Sequence, residues 1–127
     1  MSILLDTHVF FWWITADSKL SAAHYDAISK PGSVVYVSAV SGWEIATKVK
    51  LGKWSEAAVL LPDLTAKITA SGFLSLDITL AEAEFAGSLP LVHKDPFDRF
   101  LAAQSISRGL PIVTVDPAFR LFGCVII

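Results

Sequence analysis

Apolar residues fall along the chain in short runs separated by polar turns, and the runs alternate between strand-like and helix-like patterns. Ile3-Leu4-Leu5 is an apolar run stopped by Asp6, as in a buried strand whose C-terminal end carries an acid. Val9 to Ile14 follows at once and is apolar on every side. Leu20 to Ser29 predicts a helix halted by Pro31-Gly32, and Val34 to Val37 a β-branched strand ending at Ser38. Ser41-Gly42-Trp43-Glu44 fits the capping-box pattern and predicts a helix opening there, running through Ile45, Ala46 and Val49 to Gly52. A helix is predicted from Leu61 to Ala70, with Pro62 near its start and Gly72 at its end, then a short extended segment at Phe73 to Leu76. Thr79 and Glu82 form a second capping box, leading a helix to Gly87-Ser88. Asp95-Pro96 opens another, because Asp caps a free N–H and Pro has none to lose at the first helical position; Gly109 closes it. Pro111 to Val115 predicts a strand ending at Asp116-Pro117, and Cys124 to Ile127 a last apolar strand.

Strands alternating with helices predict an α/β fold with a largely parallel central sheet. The chain has no internal repeat, low-complexity tract or linker, so residues 1–127 are expected to form one domain. In open parallel sheets, ligands bind beyond the carboxyl ends of the strands. Asp6 and Asp116 would stand there at the ends of their strands. Glu44 and Asp98 would sit on first turns of helices that start at the same edge. Four carboxylates from distant parts of the chain are therefore expected to converge.

Composition narrows the picture. Hydrophobic residues make up 54% and charged residues 17%, low for a soluble domain, so further surface is expected to be hidden against a partner or a second copy. No apolar run reaches the ~18 residues that cross a membrane, and no basic leader marks an export signal. Cys124 is the only cysteine, which excludes an intrachain disulfide and fits a reducing cytoplasm. With a net charge of −2, nothing global attracts a polyanion; a nucleic-acid contact would need a local basic patch.

Each acid has a plainer account: Asp6, Asp95, Asp98 and Asp116 can serve helix starts, and Glu44 its capping box. Together they are harder to explain so, because like charges within ~4–6 Å raise one another's pKa and cost stability. A cation would neutralise such a cluster. Oxygen-only ligands select Mg²⁺ or Mn²⁺, and carboxylate-held ions of this kind serve phosphodiester cleavage. No zinc-type Cys–His spacing or Gly-rich phosphate loop occurs, and His8, His24 and His93 share no ligand spacing. An Asp-nucleophile phosphatase is disfavoured, since Asp6-Thr7-His8 lacks the Asp-x-Asp pattern.

Four segments carry a more specific likeness: Ile-Leu-Leu-Asp-Thr at 3–7; Ser-Gly-Trp-Glu-Ile-Ala-Thr-Lys at 41–48 with Gly52-Lys53; His-Lys-Asp-Pro-Phe-Asp-Arg-Phe-Leu-Ala-Ala-Gln at 93–104; and Val-Thr-Val-Asp at 113–116. In this order and spacing they resemble the PIN-domain family, and within it the VapC-type ribonuclease toxins of prokaryotic toxin–antitoxin pairs. The resemblance implies a PIN-like three-layer sandwich, a Mg²⁺ or Mn²⁺ carboxylate site, endonucleolytic RNA cleavage, a homodimer and a small antitoxin. Carried over by position, Asp6, Glu44, Asp98 and Asp116 are the metal and catalytic acids. Asp6 and Asp98 are expected to ligate directly; Glu44 and Asp116 would act directly or through water. Thr7 and Thr114 are expected to brace the acids. Asp95 is read as a helix cap with a supporting role behind the ligands as the minor alternative, and His93 is left without a role.

Two further groups suggest contacts. Lys48, Lys50, Lys53 and Arg99 are candidate RNA-phosphate contacts, against a plain solvated helix face. Phe10, Phe11, Trp12 and Trp13 cannot all point into one core from one helix. Phe11, Trp12 and Trp13 are therefore candidate antitoxin or dimer contacts. A housekeeping PIN nuclease in RNA processing and a non-catalytic acidic-groove binding module are the rival readings.

Overall fold

The structure, a computed structural model, describes residues 1–90 and 95–127. In chain order the elements are β1 (Ser2–Leu5), α1 (Thr7–Thr15), α2 (Ala22–Ser29), β2 (Val34–Ser38), α3 (Ala39–Lys50) and a 3₁₀ helix (Ser55–Leu60). There follow α4 (Leu64–Ala70), β3 (Leu74–Leu76), α5 (Leu80–Ser88), α6 (Pro96–Arg108), β4 (Ile112–Val113) and α7 (Ala118–Phe122). The sheet order is β3-β2-β1-β4 and every pairing is parallel. Leu4 stands opposite both Tyr36 and Ile112, so β1 is an interior strand.

Alternation along the strands builds two apolar layers, because successive side chains leave a strand on opposite faces. Ile3, Leu5, Val35, Val37 and Val113 pack with Val9, Phe10, Ile45 and Leu60 on one face. Leu4, Leu76 and Ile112 pack with Ala86, Leu101, Ala102, Phe119 and Phe122 on the other. The result is the expected α/β sandwich, with helices covering both faces of a parallel sheet. Leu101, Ala102 and Ala103 are fully buried, so the small residues of α6 bring its backbone close to the sheet.

The chain runs from β1 outward to β2 and β3, then returns past β1 to β4 on its other side. This reversal opens a crevice at the carboxyl ends of β1 and β4, where open α/β sheets bind ligands.

Several boundaries differ from the sequence reading. Helix α3 starts at Ala39, with Ser38 as its cap through a 3.0 Å bond from the Val40 N–H, so Ser41 and Glu44 form no capping box. Ser41 lies inside the helix, where its hydroxyl meets that of Thr7 at 2.8 Å. Helix α4 begins after Asp63, which accepts from the Ala66 N–H at 3.1 Å, three residues beyond the expected Leu61 start. The predicted strand at Pro111 to Val115 contracts to β4, and the segment from Cys124 makes one parallel bridge, Ile112 to Ile126. The 3₁₀ helix and α7 were not expected. Both are too short for a helical period to emerge from sequence. The Thr79–Glu82 capping box is present as read, and Asp95 caps α6 with Pro96 at its first position.

Candidate active site

Asp6 is the first residue beyond β1, buried, and makes no side-chain cap bond to α1. Its Oδ2 instead accepts a 2.7 Å bond from the Thr114 hydroxyl, whose oxygen in turn accepts the Asp116 N–H at 3.0 Å. Thr114 thus ties the acid after β1 to the backbone after β4. Glu44 lies on the second turn of α3, since that helix starts earlier than the sequence suggested, and is 2% exposed. Its Oε2 accepts from the Lys48 ammonium at 2.5 Å, the i,i+4 neighbour, while its Oε1 is buried with no hydrogen-bond partner. Asp95 caps α6, accepting the Phe97 N–H at 2.9 Å and the Asp98 N–H at 3.4 Å, and its other oxygen lies 3.8 Å from Lys48 Nζ. Asp98 is on the first turn of α6, and the Oδ1 of Asp116 accepts the Ala118 N–H at 2.9 Å. The four acids, with Asp95, Lys48, His8, Trp12 and Val115, line one cleft of about 220 Å³ at the β1–β4 crevice.

With this geometry in hand, known proteins give a consistent comparison. The profile of the PIN domain family matches residues 3–123. The chain belongs to the PIN domain family. It is 31% identical to Ribonuclease VapC22 of Mycobacterium tuberculosis (strain ATCC 25618 / H37Rv) over 121 residues, 94% of this chain and 90% of that protein. It superposes with a TM-score of 0.69 on a chain in the crystal structure of VapBC2 from Rickettsia felis bound to a DNA fragment from their promoter. The match covers 99% of this chain and 96% of that one at 16% identity, a likeness of fold.

The electrostatics of this PIN domain's cleft are those of crowded like charges. Burial raises the Asp98 pKa to about 8, helped by the negative charges of Asp6, Asp95, Glu44 and Asp116. Burial also raises that of Asp6, with Glu44 adding to the rise, against the Thr114 hydrogen bond and the nearby His8, which lower it. Burial would lower the Lys48 pKa, but its bond to Glu44 and the charges of Glu44, Asp95 and Asp98 raise it overall. Lys48 therefore remains an ammonium and supplies the positive charge that the cleft calls for.

The donor set suits a hard divalent cation: carboxylate oxygens, crowded charge, and in Glu44 an unpartnered buried oxygen. As the side chains are placed, no three His, Cys, Asp or Glu residues among the described residues form a group that could hold a metal ion.

The other expected residues divide. Thr114 braces Asp6, whereas the Thr7 hydroxyl reaches Ser41 and joins α1 to α3, one step from the acids. Lys48 is in the cleft itself, whereas Lys50 and Lys53 are exposed and do not line it. Arg99 is a correction. Its guanidinium is buried, donating to the backbone carbonyls of Gly87 (3.0 Å), Leu89 (2.8 Å) and Pro90 (2.9 Å). It closes the C-terminal end of α5, where carbonyls lack helical partners, and is not presented to a phosphate. Phe11 is a second correction, because it is buried against Trp54 with ring centroids 5.1 Å apart and is not a partner contact. Trp12 and Trp13 are half-buried: Trp12 borders the cleft, and Trp13 stacks on Tyr25 at 5.2 Å. His93 lies outside the described residues. His8 shares no ligand spacing with the other histidines, yet it lines the cleft, and its place directly after Asp6-Thr7 is the sequence signal for this.

Proposed function

We propose that this chain is a Mg²⁺- or Mn²⁺-dependent endoribonuclease, the toxin of a toxin–antitoxin pair acting in the cytoplasm. The observation that carries the reading is the buried Glu44 carboxylate, half unpartnered, in one cleft with Asp6, Asp98 and Asp116. Membership of the PIN domain family and 31% identity to a protein named Ribonuclease VapC22 support the same reaction class.

In this reading Asp6 and Asp98 hold the cation directly, and Glu44 and Asp116 hold it directly or through water. A bound divalent ion would supply an activated water and neutralise charge on the leaving oxygen. The protein's own contribution is placement. Thr114 fixes the Asp6 oxygen, and the capped first turn of α6 fixes Asp98. Burial and the surrounding carboxylates make the Asp98 carboxylate costly to ionise in the empty cleft, a cost that a bound cation would relieve. Lys48 is positioned to leave Glu44 for a substrate phosphate, and the exposed Lys50 and Lys53 are candidate contacts for phosphates farther along the strand. A small antitoxin and a second copy of the chain are the expected partners. The half-buried Trp13, bordering a hollow of about 460 Å³ with Leu20 and Tyr25, is the surface we assign to one of them.

The test is cleavage of single-stranded RNA by the purified protein with Mg²⁺ or Mn²⁺, in parallel with chelator and with Asp98→Asn. Cleavage only by the wild type with metal supports the reading. Inert wild-type protein across a broad RNA panel sinks it in favour of an acidic-groove binding module. Growth arrest on induction, relieved by a neighbouring gene, separates a toxin from a housekeeping RNA-processing nuclease.

A further inference from the structure

We infer that the groove beside the carboxylate cleft is a nucleobase subsite, in which a base of single-stranded RNA next to the scissile phosphate stacks against Trp12 and His8. The inference rests on the nuclease reading and deepens it. The groove has a volume of about 580 Å³, within the range of small-ligand sites, and lies between α1 and the 3₁₀ helix. His8 and Trp12 line both groove and cleft, so the two hollows are adjacent. A strand whose phosphate reaches the four acids carries its next base onto this face.

The face is built for stacking. His8, Phe11, Trp12 and Thr15 follow one another at helical spacing on α1, so they share one side of the helix. The His8 ring stacks on Trp54 with centroids 4.5 Å apart and planes 25° apart, and Trp12 tilts beside it at 6.2 Å and 57°. Phe11 and Trp54 are buried beneath, which fixes the floor, while His8 is exposed and Trp12 half-exposed. Aromatic faces of this kind bind any base, because every base has a π-face.

Charge separates a base from a phosphate as the occupant. Asp17 and Glu56 line the groove against one cation, Lys19, so a phosphate is repelled. The Lys19 N–H holds the Asp17 carboxylate at 2.9 Å and so keeps it in place. Carboxylates at the rim accept hydrogen bonds from exocyclic amino groups. Adenine, cytosine and guanine carry one, whereas uracil offers only its ring N3–H, so uracil is the base the subsite holds least well.

The experiment maps the cleaved bond in a single-stranded RNA and then uses oligonucleotides made abasic at each flanking nucleotide. Steady-state kinetics are measured for wild type, Trp12→Ala, Trp12→Phe and His8→Ala, with thermal melts to establish folding. Trp12→Ala is expected to raise KM about tenfold, with kcat changing far less, and Trp12→Phe to recover most of the loss. Removing one flanking base is expected to cost the wild type a similar factor and to cost Trp12→Ala little more, since both remove the same contact. Uracil at that position is expected to behave like a weaker base. Equal abasic penalties in wild type and folded Trp12→Ala, or an unchanged KM, overturn the subsite and leave the groove to another occupant. Absence of cleavage by the wild type instead overturns the nuclease reading, and this inference with it.

Discussion

Glu44 and Asp98 show most directly what the cleft costs the fold. A carboxylate 2% exposed is tolerated only with compensation, and Lys48 at 2.5 Å provides it for one oxygen. Lys48→Met should therefore destabilise the chelator-treated protein by about 2 kcal/mol. That is below the ~3–5 of a fully buried pair because a quarter of the lysine side chain is exposed, and urea titration measures it. Asp98 predicts opposite signs for stability and activity. Asp98→Asn removes a carboxyl from a site already crowded by Asp6, Asp95, Glu44 and Asp116, so the melting temperature in chelator should rise. RNA cleavage should fall by more than about a hundredfold, since even residues behind metal ligands cost 10–100-fold. A parallel loss of both would mean that Asp98 is structural. Convergence of the four acids was legible because Asp6 and Asp116 end apolar runs and Asp98 opens a helix, while Glu44 reaches the cleft from the second turn of α3 and not from its start. What Lys48 and Arg99 do was not. A basic residue looks the same in sequence whether it faces a phosphate, a neighbouring carboxylate or the end of a helix.

At the level of elements, caps decide what was readable. The Thr79–Glu82 box and the Asp95-Pro96 start have both halves of their signal in adjacent residues and appear as read. The Ser41–Glu44 spacing is an accident of a helix already running. The true cap, Ser38, closes β2, and its hydroxyl also donates to the buried Gln104 on α6 at 2.5 Å, a contact 66 residues away that no local pattern marks. Glu82 joins the box to α6 through Arg108 at 2.6 Å, and that hydrogen bond, against burial, lowers its pKa to about 2 from 4.5. A depressed carboxylate contributes stability that is present above its unfolded pKa and lost as pH falls through the folded one. The stability gap between wild type and Glu82→Gln should thus be full at pH 7 and close between about pH 4.5 and 2, as followed by melting temperature. Helix α1 ends on Ala16 at φ 53°, a left-handed conformation that glycine adopts without the Cβ penalty. Ala16→Gly should stabilise by about 1 kcal/mol, read from urea midpoints at unchanged m-value.

Across the whole molecule, sheet order sets where any cation acts. The reversal between β1 and β4 brings together residues 6, 44, 98 and 116, which belong to the edge of β1, to α3, to α6 and to the turn after β4. An ion held by acids from four parts of the chain binds the folded state and has no comparable site in the unfolded one, so its binding free energy adds to stability. At a concentration a hundred times its Kd the gain is about 2.7 kcal/mol, which for a chain of 127 residues is a rise in melting temperature on the order of 10 °C. The rise should be concentration-dependent with Mg²⁺ or Mn²⁺ and absent with sodium at matched ionic strength. It should also be lost in Glu44→Gln, whose neutral amide cannot replace a ligating carboxylate. Screening alone would relax the same repulsion, but it would do so equally for any salt and would survive the Glu44 substitution. A melting temperature that moves alike with divalent and monovalent salt would leave the carboxylate cleft without a specific ion and the proposed hydrolysis without its cofactor.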